Sequence, residues 1–211
     1  MIHQGQPLLS AGAPLAKARS AMVLAHGRGA TAGDILGLAA EFAQPDFAYL
    51  APQAAGNSWW PRRFLDPIAS NEPELSSAME IIGGLMQHVA DAGIPAERTM
   101  LVGFSQGACL VLEYAARNAR RYGGAAGLSG GLVGPDGTPR DYAGALAGTP
   151  VFLGCSDVDF HIPKARVLHT AEVLQRMGAQ VTTRLYPNME HTVSLDEVEF
   201  VRSMMEQLLE T

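Results

Sequence analysis

The chain is short of charge, of lysine and of cysteine. Only 17% of its 211 residues are charged, and 15 basic residues against 21 acidic ones give a net charge of -6. Nucleic-acid binding needs a clustered basic footprint, and no basic run exceeds Arg62-Arg63 or Arg120-Arg121, so no nucleic-acid partner is expected. The two cysteines, Cys109 and Cys155, cannot build a disulfide framework and have no metal-ligand spacing. No apolar run approaches the roughly 18 residues of a membrane span. Met1 to Arg19 carries Pro, Gly and Gln where a secretory leader needs an apolar stretch, and residues 1–19 read as a loosely ordered N-terminal segment. These absences lead to the expectation of a soluble protein of a reducing compartment, the cytoplasm.

What is abundant is apolar residue and glycine. Hydrophobic residues make up 47% of the chain, and there are 23 glycines. The length is enough to bury a large core, and with no dividing linker residues 1–211 read as a single domain. Short apolar runs at Ala21–Ala25, Phe47–Leu50, Met100–Gly103, Gly124–Leu128, Val151–Gly154 and Val181–Tyr186 predict strands. Most lack in–out alternation, as parallel strands covered on both faces do. Helical spacing predicts helices over Asp34–Ala43, Glu72–Ala92, Gln106–Ala119, Lys164–Met177 and Leu195–Leu209. Strand–helix alternation predicts an α/β domain with a mostly parallel central sheet flanked by helices. Two Gly/Pro-rich loops, Pro52–Ser70 and Ser129–Pro150, each follow a strand and so emerge at the carboxyl edge, where open α/β sheets bind ligands.

Gly103-Phe104-Ser105-Gln106-Gly107 fits G-x-S-x-G, the turn that lifts a serine above a sheet at a helix N-terminus. Composition alone would give about 0.13 chance matches to this pattern. Gly127-Leu128-Ser129-Gly130-Gly131 matches as well, but it leads into Gly131–Gly137, which no helix survives. Ser105 follows a strand and opens a helix, as the turn requires. A serine hydroxyl needs a histidine base, itself oriented by a carboxylate. His191 follows the last strand, giving the order Ser, acid, His. The segment after Val151–Leu153 offers Asp157 and Asp159, between which periodicity does not choose. His26-Gly27-Arg28-Gly29-Ala30 can supply one backbone donor to an oxyanion, and the residue after the serine the other. The N–H groups of Arg28 and Gln106 are therefore expected to form that hole. A dinucleotide-binding loop is disfavoured, because Ala32 stands where its third glycine belongs. No organic cofactor or metal is needed.

HGRGA (26–30), GFSQG (103–107), LSGGL (128–132), the D-x-x-I-P step (159–163) and His191 together resemble the phospholipase/carboxylesterase group of α/β-hydrolases, which includes acyl-protein thioesterases and small bacterial carboxylesterases. The resemblance covers nearly the whole chain from Ala21. It implies an α/β-hydrolase fold, Ser105 as nucleophile, His191 as base and Asp159 as the orienting acid, with Asp157 as the alternative. Phe160 departs from the family's usual proline, and Glu190 from its usual small residue. The implied function is a serine carboxylesterase for small or medium-chain esters; a thioesterase or lysophospholipase for longer chains, or a non-catalytic ligand-binding protein, are the alternatives. A homodimer is compatible with the resemblance. Trp59, Trp60 and Phe64 are expected to wall the substrate site, in an open cleft without a large cap domain.

Overall fold

In a computed structural model, residues 2–210 are described, and they build one seven-stranded sheet. The strands are β1 (Leu8–Gly12), β2 (Ser20–Ala25), β3 (Phe47–Pro52), β4 (Thr99–Phe104), β5 (Gly124–Leu128), β6 (Pro150–Ser156) and β7 (Gln180–Tyr186). Their spatial order is β1-β3-β2-β4-β5-β6-β7. All neighbours are parallel except β1, which runs antiparallel to β3.

Every residue of β2, β3 and β5 is buried, which is why these runs show no polar face. Alternate residues go to two different cores. Val23 and Ala25 join a cluster with α2 (Glu74–Asp91), α3 (Gln106–Arg117) and α4 (Lys164–Arg176). Met22 and Leu24 join one with α1 (Ala32–Phe42) and α5 (Leu195–Glu210). The chain crosses from one face of the sheet to the other between β2 and β4, so these strands pair in the centre, with Ala25 opposite Gly103. Their carboxyl ends bound the crevice at which such sheets bind ligands.

The helices lie within two residues of their predicted ends. Helix α1 starts early because Thr31 and Asp34 form a capping box. The N-terminal segment corrects the expectation of loose order. Leu8–Gly12 pairs residue for residue with Pro52–Ala48, and His3 is buried. β1 is mostly exposed and lies at the sheet edge, so it carries no hydrophobic period from which to read it.

The second long loop, after β5, is tied down by charge. Glu113 on α3 is 1% exposed; its carboxylate accepts the Val133 N–H (2.9 Å), the Arg117 Nε–H (2.8 Å) and the Tyr142 hydroxyl (3.1 Å). Arg166 on α4 donates to the carbonyls of Leu132 and Gly134.

Candidate active site

Ser105 joins β4 to α3 with φ 54° and ψ -119°, in left-handed backbone space that costs a non-glycine residue on the order of 1–3 kcal/mol. The two flanking glycines make that turn possible. A Cβ on Gly107 would lie 2.0 Å from the Ala25 carbonyl oxygen, and one on Gly103 would lie 2.4 Å from the backbone of Gly107. Helix α3 therefore packs directly onto the end of β2, and the Ser105 hydroxyl stands over the crevice.

Three side chains from the ends of β4, β6 and β7 form a hydrogen-bonded line. Ser105 Oγ lies 2.9 Å from His191 Nε2, and His191 Nδ1 lies 2.6 Å from Asp159 Oδ2. With the carboxylate accepting at Nδ1–H, Nε2 is left as the acceptor for the serine hydroxyl. Asp159 Oδ1 accepts the N–H groups of His161 (2.8 Å) and Ile162 (3.0 Å). Burial alone would push this carboxyl up, but the bonds from His191 and the two N–H groups outweigh it and hold it below its ordinary value. Asp157 does not reach the imidazole; it accepts the N–H of Asn188, at 2.9 Å. The His191 ring also packs on Phe104 (4.9 Å) and His161 (4.8 Å between centroids). Ser129 shares a positive φ of 53° but is fully buried and opens no helix.

The backbone N–H groups of Arg28 and Gln106 donate no hydrogen bond to any described residue, so both are free for a ligand. The side chains of the same two residues do something the sequence did not disclose. The Arg28 guanidinium donates to three successive carbonyls, those of Trp60, Pro61 and Arg62. The Gln106 amide accepts the Trp59 N–H and donates to the Trp60 carbonyl, each at 2.9 Å. The turns at the ends of β2 and β4 thus hold the Trp loop.

The three aromatic residues expected to wall the site separate into two roles. Trp60 and Phe64 line a cleft of about 350 Å³ that opens over Ser105 and His191, together with Phe104 and Ile162. Trp59 does not line it. Both tryptophans are fully buried, but the Trp59 indole donates to the His26 carbonyl (2.8 Å) and packs against the His26 and His3 rings. His26 and His3 accept the consecutive N–H groups of Ala54 and Ala55, each at 3.0 Å. Burial lowers the His26 pKa, which keeps that imidazole neutral and able to accept. His3 was unreadable because its partners lie more than 50 residues away, whereas the sequence places His26 beside the Gly-rich turn without its role.

Among the described residues no group of three or more His, Cys, Asp or Glu side chains is arranged to hold a metal ion. No described helix is long and apolar enough to cross a membrane. The arrangement can polarise a serine hydroxyl and stabilise negative charge beside it.

The family described as Phospholipase/Carboxylesterase matches residues 11–209. A crystal structure of a phospholipase/carboxylesterase from Dyadobacter fermentans is similar over 98% of this chain and 99% of its own, with a TM-score of 0.93 and 40% identity. Acyl-protein thioesterase 1 of Gibberella zeae is 31% identical over 153 residues, 67% of this chain. This match spans 63% of that relative, less than two thirds of its length. The Saccharomyces cerevisiae protein of the same name is 25% identical over 95% of this chain and 98% of its own length.

Proposed function

The chain belongs to the phospholipase/carboxylesterase family of α/β-hydrolases, and from that premise we propose that it is a serine carboxylesterase acting through an acyl-enzyme on small or medium-chain esters. The observation that carries this reading is the line Ser105 Oγ, His191 Nε2, His191 Nδ1, Asp159 Oδ2 on a strained strand-to-helix turn. Ser105 attacks the ester carbonyl as His191 takes its proton. The tetrahedral oxyanion is met by the N–H groups of Arg28 and Gln106, each contributing on the order of 10²–10³ in rate. His191 then returns the proton to the leaving alcohol. Water, activated by the same imidazole, releases the acid and restores Ser105. Asp159 stays ionised throughout, fixing the Nδ1–H tautomer and stabilising the imidazolium. The cleft of about 350 Å³ supports an acyl group of a few carbons on Trp60, Phe64 and Ile162.

Ser105→Ala should abolish 4-nitrophenyl acetate hydrolysis and its burst, a loss of about 10⁶ in kcat. Retention of most activity would end this reading. The second reading is a thioesterase or lysophospholipase for longer acyl chains, favoured by the names of the Gibberella zeae and Saccharomyces cerevisiae relatives. An ester and thioester series of rising chain length separates the two: kcat/KM that climbs past about eight acyl carbons selects the second.

A further inference from the structure

We propose that the substrate carries an anionic group, a carboxylate or a phosphate, and that Arg63 is the specificity-determining residue that recognises it. The inference rests on the ester-hydrolase reading and adds the class of ester.

The cleft runs against the charge of the molecule. The chain carries a net charge of -6, yet the cleft is lined by Arg28, Arg63, His161 and His191, with no Asp or Glu in its wall. The two arginines are used differently. Arg28 spends its guanidinium on the carbonyls of the Trp loop. The Arg63 guanidinium is exposed at the cleft mouth and makes no hydrogen bond or ion pair with a described residue.

A merely solvated surface arginine needs no support, but the backbone at Arg63 is gripped on both sides. Asn71, fully buried, accepts the Arg62 N–H through Oδ1 (2.8 Å) and donates through Nδ2 to the Arg63 carbonyl (3.0 Å). The Arg63 N–H is accepted by Asp66 at 3.1 Å, which engages the carboxylate with main chain. The next residue, Phe64, is buried in the cleft wall, and its carbonyl accepts the Gly134 N–H at 2.7 Å. Arg63 is thus mounted on a fixed turn beside the apolar floor, with its planar fork of donors unspent. That fork matches the paired oxygens of a carboxylate or phosphate. His161, whose ring lies against His191, adds a second donor to the cleft lining.

Two arms distinguish the sources of the anion. In the first, 4-nitrophenyl hemiglutarate is compared with 4-nitrophenyl valerate, equal in acyl length and differing by a terminal carboxylate. In the second, the butyryl ester of 2-hydroxyethyl phosphate is compared with propyl butyrate. In at least one arm, kcat/KM of the wild type should favour the anion about tenfold or more, about 1.4 kcal/mol. Arg63→Gln should collapse that ratio to about two or less, Arg63→Lys should keep part of it, and Arg62→Gln should retain it. The preference should fade as ionic strength rises from about 0.01 M to about 1 M, where the screening length falls from ~30 Å to ~3 Å. No preference in either arm, or a preference that survives Arg63→Gln, overturns the proposal. If none of the four esters is hydrolysed, the ester-hydrolase reading has failed instead.

Discussion

Asp157 accepts the backbone N–H of Asn188 at 2.9 Å, so the carboxylate that does not touch His191 fixes the loop that carries it. Two acidic residues two positions apart in the loop after β6 thereby divide the work, one bonded to the imidazole and one to the chain three residues before it. Replacing each separates the roles. Asp159→Asn should lower kcat by about 10⁴, because the amide holds the wrong tautomer. Asp157→Ala should cost about tenfold or less in kcat and about 1 kcal/mol of stability, the worth of a single charge-assisted bond near the surface. Equal losses of kcat in the two variants would contradict this division.

Gln106→Ala keeps the backbone N–H proposed to meet the oxyanion and removes only the amide that holds Trp59 and Trp60. The buried Trp59 N–H loses its acceptor, at about 1–3 kcal/mol, while the Trp60 carbonyl keeps Ser58 and Arg28 as donors. The expected result is a raised KM and a melting point lower by several degrees, with kcat falling less than tenfold. A loss of 10² or more in kcat at unchanged KM would show that the side chain acts on the transition state itself.

Glu113→Gln preserves shape but leaves Arg140, 6% exposed and 3.6 Å from that carboxylate, without its counter-charge. Breaking a buried pair in this way costs about 3–5 kcal/mol. Thermal unfolding should shift down by at least about 6 °C for a chain of this size, while kcat at low temperature stays within about twofold. The Ser129–Pro150 loop should become the preferred site of limited proteolysis.

Glu197, at the start of α5, is fully buried, and burial pushes its carboxyl up despite the N–H and O–H that Ser194 donates. A raised folded-state value favours the protonated form, so this contribution to stability is complete below the ordinary glutamate value and is lost as pH rises through the raised one. Asp159 has the opposite sign: its contribution holds above the ordinary aspartate value and is lost as pH falls through the lowered one. Glu197→Gln should therefore raise the melting temperature at pH 7, with the gain shrinking toward pH 4. A gain independent of pH, or a loss at pH 7, would refute it.

Much of this was legible because it is local. The turn around Ser105 is written into five residues, and Gly103 answers to the nearby backbone of Gly107, although Gly107 itself answers to Ala25 at the end of β2. The central strands were readable as apolar runs because both faces of each are covered. What escaped reading depends on distant partners. β1 pairs with a strand some forty residues on, and nothing in Leu8–Gly12 announces it. Trp59 and Trp60 are adjacent, chemically alike and both buried, yet the first packs against the histidines at 3 and 26 and the second borders the cleft. Between Asp157 and Asp159 the deciding bond comes from His191, more than thirty residues away.

Asn71 and Asp66 hold residue 63 through main-chain atoms alone. The fold therefore asks only that residue 63 keep its backbone N–H, which every residue but proline does. Position 63 behaves as an interchangeable socket: a library confined to this one codon should retune which esters enter without disturbing the chemistry behind it. Selectivity and reactivity in this enzyme would then be separable traits, open to selection one at a time.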